Sequence, residues 1–150
     1  MIIYIGADHR GFKMKEKLRD FLKERGYPVF DLGALSYDAA DDYPDFAYAV
    51  AMKIAEAPED SRGILVCGTG TGVNIVANKV KGVRSVLASN IVQAVRSKND
   101  DDTNVISLGA ELITEEEAES ILLSWLDASF SGEERHVRRL KKISDIESSA

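Results

Sequence analysis

One cysteine, Cys67, is the only thiol among 150 residues. No intrachain disulfide is available, which suits a reducing compartment and makes the cytoplasm the expected setting. Basic charge is also scarce: 19 Lys and Arg stand against 25 Asp and Glu, a net charge of -6. A phosphate backbone needs a basic face, so no nucleic-acid partner is expected. Long apolar runs are missing, and nothing approaches the roughly 20 residues of a membrane span. The opening MIIYIGADHRGF has neither a basic n-region nor a signal-length apolar stretch, so no targeting segment and no membrane partner are expected. Repeats and low-complexity blocks are absent too. What remains, 45% hydrophobic and 29% charged residues, is the composition of a globular protein. A chain of this size ordinarily forms one domain and buries roughly 70% of its unfolded surface.

Strand and helix patterns alternate along the chain. IIYIG (2–6) is a short apolar strand, followed by a helix over 10–25 with Met14, Leu18, Phe21 and Leu22 on one face and Gly26 as its stop. PVFDLG (28–33) is a second strand, 34–45 a turn-rich loop, and 44–57 a helix opened by Pro44 with Phe46, Val50 and Ile54 at i+4 spacing. RGILVCG (62–68) is a continuous apolar strand of the kind buried on both faces of a parallel sheet. A helix over 70–79, a strand at 83–88, a helix at 90–98 and a strand at 104–109 follow. Thr114 and Glu117 then stand in capping-box register before a helix striped with Ala118, Ile121, Leu122, Trp125 and Leu126, and a last helix covers about 132–147. Five strand–helix units predict an α/β, Rossmann-like domain: a five-stranded parallel sheet with helices on both faces and flavodoxin-like order 2-1-3-4-5. Ligands of such sheets sit at the carboxyl ends of the strands, at the switch point between strands 1 and 3. The loops GADHRGF and CGTGTGVN fall there.

Cys67 ends the third strand just before a glycine loop that opens a helix. It reads either as a small core filler or as a base or nucleophile, since a helix N-terminus stabilises nearby anions, thiolates included. Gly68, Gly70 and Gly72 permit close backbone approach, and their N–H groups, with those of Thr69 and Thr71, suit a developing oxyanion. A tight turn alone would also need glycine. G-x-G-x-x-N from Gly70 is close to a dinucleotide fingerprint, but it follows the third strand and no acidic residue ends the next one. Asp8 suits an N-cap or a ligand contact, and His9 a surface position or a ligand contact. Arg135 and Arg139 lie one helical turn apart within RHVRRLKK, on one face, which suits either a solvated helix or a phosphate. NDDDTN (99–104) has no EF-hand spacing, and a helix-ending loop explains its carboxylates as well as a cation would.

IGADHRGFKMKEKL, DYPDFA, GILVCGTGTGVNIVANKVKGVRSVL, NDDDTNVISLGAELI and RHVRRLKKI together resemble the type B ribose-5-phosphate isomerases and the related galactose-6-phosphate isomerases, over nearly the whole chain. The resemblance implies one sugar-phosphate isomerase domain over 1–150, assembled as homodimers or homotetramers with sites completed across the dimer interface. It places the C-terminal helix of about 132–147 at that interface. It implies no metal and no organic cofactor. Carried over by motif, Cys67 would move the proton between C2 and C1 of an aldose or ketose phosphate through a cis-enediolate. Thr69 and the N–H groups of Gly68, Gly70, Thr71 and Gly72 would hold the enediolate oxygens. Asp8 and Tyr43 would contact sugar hydroxyls, His9, Arg135 and Arg139 the phosphate, and Asn78 would support the loop.

Two positions depart from that pattern. Asp100 stands where the family carries a ring-opening histidine, and Asp101 replaces an asparagine. A carboxylate can serve as a general base there, but an ordinary one is a poor acid at neutral pH. Glu111 stands where an arginine often binds phosphate. It is expected either to point away, or to pair with an arginine, or to signal another substrate, such as a tetrose or hexose phosphate. Binding of a sugar phosphate without turnover is the competing reading. A nucleotide-binding domain rests on the fold and glycine loop alone and lacks a Walker lysine–serine pair.

Overall fold

The computed structural model describes all 150 residues. Eleven elements alternate as expected: β1 (Ile2–Ala7), α1 (Phe12–Glu24), β2 (Val29–Asp31), α2 (Tyr43–Glu56), β3 (Ser61–Cys67), α3 (Thr71–Ala77), β4 (Ser85–Leu87), α4 (Ile91–Asp101), β5 (Val105–Gly109), α5 (Glu115–Asp127) and α6 (Glu134–Ser149). All strand pairs are parallel, in the order β2-β1-β3-β5-β4. The five-stranded parallel Rossmann-like sheet is as predicted, but its last two strands are exchanged relative to the flavodoxin-like order. The physical reason is burial. β5 is buried at every residue, whereas the three residues of β4 are each half-buried. A short strand carrying Ser85 beside Arg84 is suited to the edge, and VISLG to the interior.

Alternation along the strands sends successive side chains to opposite faces. Ile3, Ile5, Ile64, Val66, Ile106 and Leu108 face α1, α4 and α5, where Met14, Leu18, Leu22, Ala94, Ile121, Leu122 and Trp125 complete the larger core. Leu65 and Cys67 face α2 and α3 and pack with Ala47, Val50, Ala51, Ile54, Val73 and Ala77. The period of the strand therefore decides that Cys67 lies beneath α2 and α3.

The ends of the helices follow their local chemistry. Gly26, at φ +84°, follows α1, a conformation closed to most side chains. Pro44 occupies the first turn of α2. Thr114 and Glu117 form the reciprocal capping box of α5, with bonds of 3.1 and 2.7 Å. Asp8 does not cap α1, which starts after Gly11. Its Oδ1 instead accepts the N–H groups of Arg10 and Gly11, both at 3.0 Å, and so shapes the turn between β1 and the helix. No helix is long and apolar enough to cross a membrane.

Candidate active site

The loops after β1 and β3 touch at the carboxyl edge of the sheet. Ala7 pairs with Val66 in register, and Cys67 with Gly109. A Cβ on Gly11 would stand 2.5 Å from the Val66 carbonyl oxygen, and one on Gly68 would stand 2.8 Å from the Arg10 guanidinium carbon. Only glycine lets these two loops lie so close. The third loop closes in through Tyr43, whose ring would be 2.6 Å from a Cβ on Gly72. The loop carrying Asp8 and His9, Tyr43 and the segment Cys67–Gly72 are therefore brought to one place.

Cys67 is 5% exposed, and its Sγ accepts the Gly70 N–H at 3.1 Å. It is both a member of the α2–α3 core and the acceptor at the mouth of the glycine loop. Gly70 holds φ +76°, and a Cβ there would strike the Leu108 backbone at 2.8 Å, so glycine is needed on two counts. Thr69 and Thr71 are exposed, and the Thr71 N–H lies 3.4 Å from Thr69 Oγ1. A cavity of about 200 Å³ opens beside them, lined also by Leu87, Gln93, Gly109 and Leu112. A larger one of about 470 Å³, between the starts of α4 and α5, is lined by none of the predicted site residues.

Both basic side chains of the β1 loop face carboxylates. His9 Nδ1 is 2.6 Å from Asp41 Oδ1, which also accepts the His9 backbone N–H at 2.9 Å. Arg10 forms a two-pronged pair with Glu111, Nε to Oε1 at 2.8 Å and Nη2 to Oε2 at 2.7 Å. Of the three outcomes expected for Glu111, pairing with an arginine is the one observed. The sequence does not point to Asp41, nor to Arg10 as the arginine that pairs with Glu111. Partners 32 and 101 residues apart leave no spacing signal.

Asp100, Asp101, Arg135 and Arg139 are not brought to Cys67 within one chain. Asp100 and Asp101 end α4, at the amino edge of the sheet, and β5 then carries the chain about 13 Å toward Gly109 at ~3.3 Å per residue. Arg135 and Arg139 are exposed on α6, which packs against α4; Arg135 pairs with Glu133 at 3.0 Å. His136, also missed in the sequence, is buried beneath that helix. Its Nδ1 is 2.6 Å from Ser131 Oγ, and its Nε2 is 3.9 Å from Asp100 Oδ1. Asp101 lines a separate cavity of about 410 Å³ with Arg84, Ile143 and Ile146. Asn78 ties α3 to β4, donating to Ser85 O (3.0 Å) and accepting its N–H (2.9 Å), a structural role as anticipated.

The chain is similar to known proteins over nearly its whole length. A profile described as Ribose/Galactose Isomerase matches residues 3–143. The probable ribose-5-phosphate isomerase B of Mycoplasma genitalium is 42% identical over 94% of this chain and 92% of its own. Ribose-5-phosphate isomerase B of Escherichia coli is 41% identical over 97% and 95%. The solved structure of ribose-5-phosphate isomerase B from Mycoplasma genitalium with bound ribulose-5-phosphate superimposes with a TM-score of 0.95 at 40% identity, covering 99% of this chain and 97% of that one. With a match of this extent and the shared sheet, the chain belongs to the ribose/galactose isomerase family.

Proposed function

We propose that the protein interconverts an aldose and a ketose phosphate, with ribose 5-phosphate and ribulose 5-phosphate as the pair, by proton transfer through Cys67. The carrying observation is the Cys67 Sγ held at 3.1 Å by the Gly70 N–H, at the end of β3 and at the start of the glycine loop. The thiolate takes the proton from C2 of the open-chain aldose, and the electron pair moves to O1 to give a cis-enediolate. N–H groups of the Gly68–Gly72 loop stabilise the charge on oxygen. The Thr69 hydroxyl passes a proton from O2 to O1. The Cys67 thiol then returns its proton to C1, which leaves the ketose and regenerates the thiolate. Asp8 and Tyr43 hold the sugar hydroxyls. No metal or organic cofactor enters these steps.

Charge supports a site shared between two copies. His9 faces Asp41, Arg10 faces Glu111, and Asp8 adds a carboxylate, so these residues offer a phosphate dianion no net positive charge. Arg135 and Arg139 supply it if α6 of a second copy reaches over the loop. Asp100 and Asp101 travel with the same end of that copy, where Asp100 serves as base toward the anomeric hydroxyl during ring opening. Exposed Val137, Ile143 and Ile146 on α6 give the helix an apolar surface to bury in a homodimer, or in a homotetramer built from it.

Binding without turnover is favoured by one observation, the 5% exposure of Cys67. Incubation with ribose 5-phosphate in heavy water separates the two readings. Isomerisation incorporates solvent deuterium into the product, and Cys67→Ala abolishes the incorporation while leaving the protein folded. Equal behaviour of the two proteins would overturn the assignment of Cys67.

A further inference from the structure

Asp41 belongs to no predicted role, yet its geometry is that of a built contact. One oxygen, Oδ1, accepts two bonds from a single residue, the His9 backbone N–H at 2.9 Å and the ring Nδ1 at 2.6 Å. The side chain is only 9% exposed, and its second oxygen, Oδ2, is buried with no hydrogen-bond partner in the chain. A buried carboxylate oxygen left unsatisfied is expensive, and proteins keep such groups chiefly where they do a specific task. The loop that delivers it is organised for the purpose. Asp38 Oδ1 accepts the Ala40 N–H at 2.9 Å and Asp38 O accepts the Asp41 N–H at 3.1 Å, a local turn that aims Asp41 at His9 across 32 residues of sequence.

An ionised carboxylate can only accept, so Nδ1 of His9 carries the proton of this bond. No hydrogen bond within the chain occupies Nε2, and the ring is 25% exposed, edge-on to Tyr37 at 6.3 Å between centroids. We infer that Asp41 is a positioning residue for the sugar-phosphate site: it locks the His9 imidazole with Nδ1–H inward and leaves Nε2 as the nitrogen that meets the ligand. This rests on the reading of His9 as a substrate contact. A histidine with a free ring torsion would divide between two orientations and, when neutral, two tautomers; a fixed one meets its ligand in a single form.

Asp8, His9 and Asp41 also offer one donor atom each within 4.8 Å of one another, the spacing of a cation site. Nδ1 is already committed to Asp41, however, and the free Nε2 lies on the far side of the ring from that carboxylate. The cluster is arranged to orient the imidazole.

The test compares the full-length protein with Asp41→Ala and Asp41→Asn. The chain has two histidines, so long-range proton–nitrogen spectra resolve the His9 ring, assigned by its loss in His9→Ala. Expected is a ring protonated at Nδ1 in the wild type, mixed tautomers in Asp41→Ala, and restoration in Asp41→Asn, whose amide oxygen accepts the same two bonds. In turnover of ribose 5-phosphate, Asp41→Ala raises KM by roughly tenfold, the worth of one lost charge-assisted bond, with a much smaller change in kcat, and Asp41→Asn recovers most of that loss. An unchanged His9 tautomer in Asp41→Ala, or equal KM in wild type and both variants, overturns the proposal. So does a loss of activity on chelator treatment that added zinc restores, which would make the cluster a metal site. The tautomer measurement needs no substrate, so it stands apart from whether ribose 5-phosphate is the correct sugar.

Discussion

Arg10 and Glu111 grip each other with two bonds of 2.8 and 2.7 Å at the rim of the glycine loop, with the guanidinium against Gly68. Both side chains are about half exposed, so the pair adds at most about 1 kcal/mol to stability. Its consequence is electrostatic, because each residue cancels the other beside the site. Glu111→Gln should leave Arg10 uncompensated and lower KM for a sugar phosphate. A unit charge about 4 Å from a phosphate is worth ~1 kcal/mol in a water-like dielectric, or about fivefold. Arg10→Ala should raise KM by strippping the cover from Glu111. Both effects should shrink at high salt, and thermal midpoints should hardly move. Steady-state kinetics at two ionic strengths checks this; shifts of the same sign in both variants would show that the pair acts through packing.

Gly70 and Gly72 lie two residues apart but should fail differently. Alanine at 70 meets backbone, the Leu108 carbonyl carbon at 2.8 Å, in a φ of +76°. Neither can yield, and a loss of about 2 kcal/mol or more is expected in denaturant titration. Alanine at 72 meets the Tyr43 ring at 2.6 Å, and Tyr43 is 39% exposed. The ring can swing outward. Gly72→Ala should therefore remain close to wild-type stability while losing the Tyr43 contact, seen as a raised KM. The contrast between the two glycines, read by unfolding and by kinetics, checks the close approach on which the site depends.

Much of this was legible in the sequence because the signals are local. Continuous apolar runs marked the central strands, Pro44 and the Thr114–Glu117 box marked helix starts, and the glycine pattern after Cys67 marked a tight loop between strand and helix. The order of β4 and β5 was not, since pairing depends on which strand is buried on both faces; the polar start of RSVL was the available clue. That Asp41 meets His9, and that the arginine facing Glu111 is Arg10, was illegible because the partners lie 32 and 101 residues apart. The placing of Asp100 at the amino edge, opposite Cys67, is implied by its position just before the fifth strand, whereas that of Arg135 depends on how α6 folds back on α4.

Lys98, near the end of α4, gives the stability of the fold a pH dependence. It is 6% exposed and paired with Asp102, whose other oxygen holds Arg84 at 3.2 Å. Burial pushes its ammonium below the ordinary lysine value of 10.5; the bond to Asp102 opposes the shift, and the charges of Arg62 and Arg84 add to it. Between the lowered folded value and 10.5 the unfolded chain holds a proton that the folded one has released, so stability rises with pH across that window. Below the window both states are charged and the penalty of burying the ammonium is fully present. Denaturant titration from neutral to alkaline pH should therefore show a gain, relative to Lys98→Met, as pH rises toward 10.5. Parallel curves for the two proteins would remove Lys98 as the cause.

A shared site makes a prediction that no single-chain site can. Cys67→Ala removes the base, and Arg139→Ala removes a phosphate contact contributed, on this reading, by the other copy; each protein alone should be nearly inactive. Mixed after reversible dissociation, half of the resulting dimers pair one of each. In such a dimer the two substitutions fall together in one site, and the other site is intact. About one quarter of all sites should then be restored, as two-fold symmetry requires. If Cys67 and Arg139 served the same site from one chain, every site would keep one defect and mixing would restore nothing. Activity measured against mixing ratio, with dimer exchange followed by mass, decides between the two, and it does so whichever sugar phosphate proves to be the best substrate.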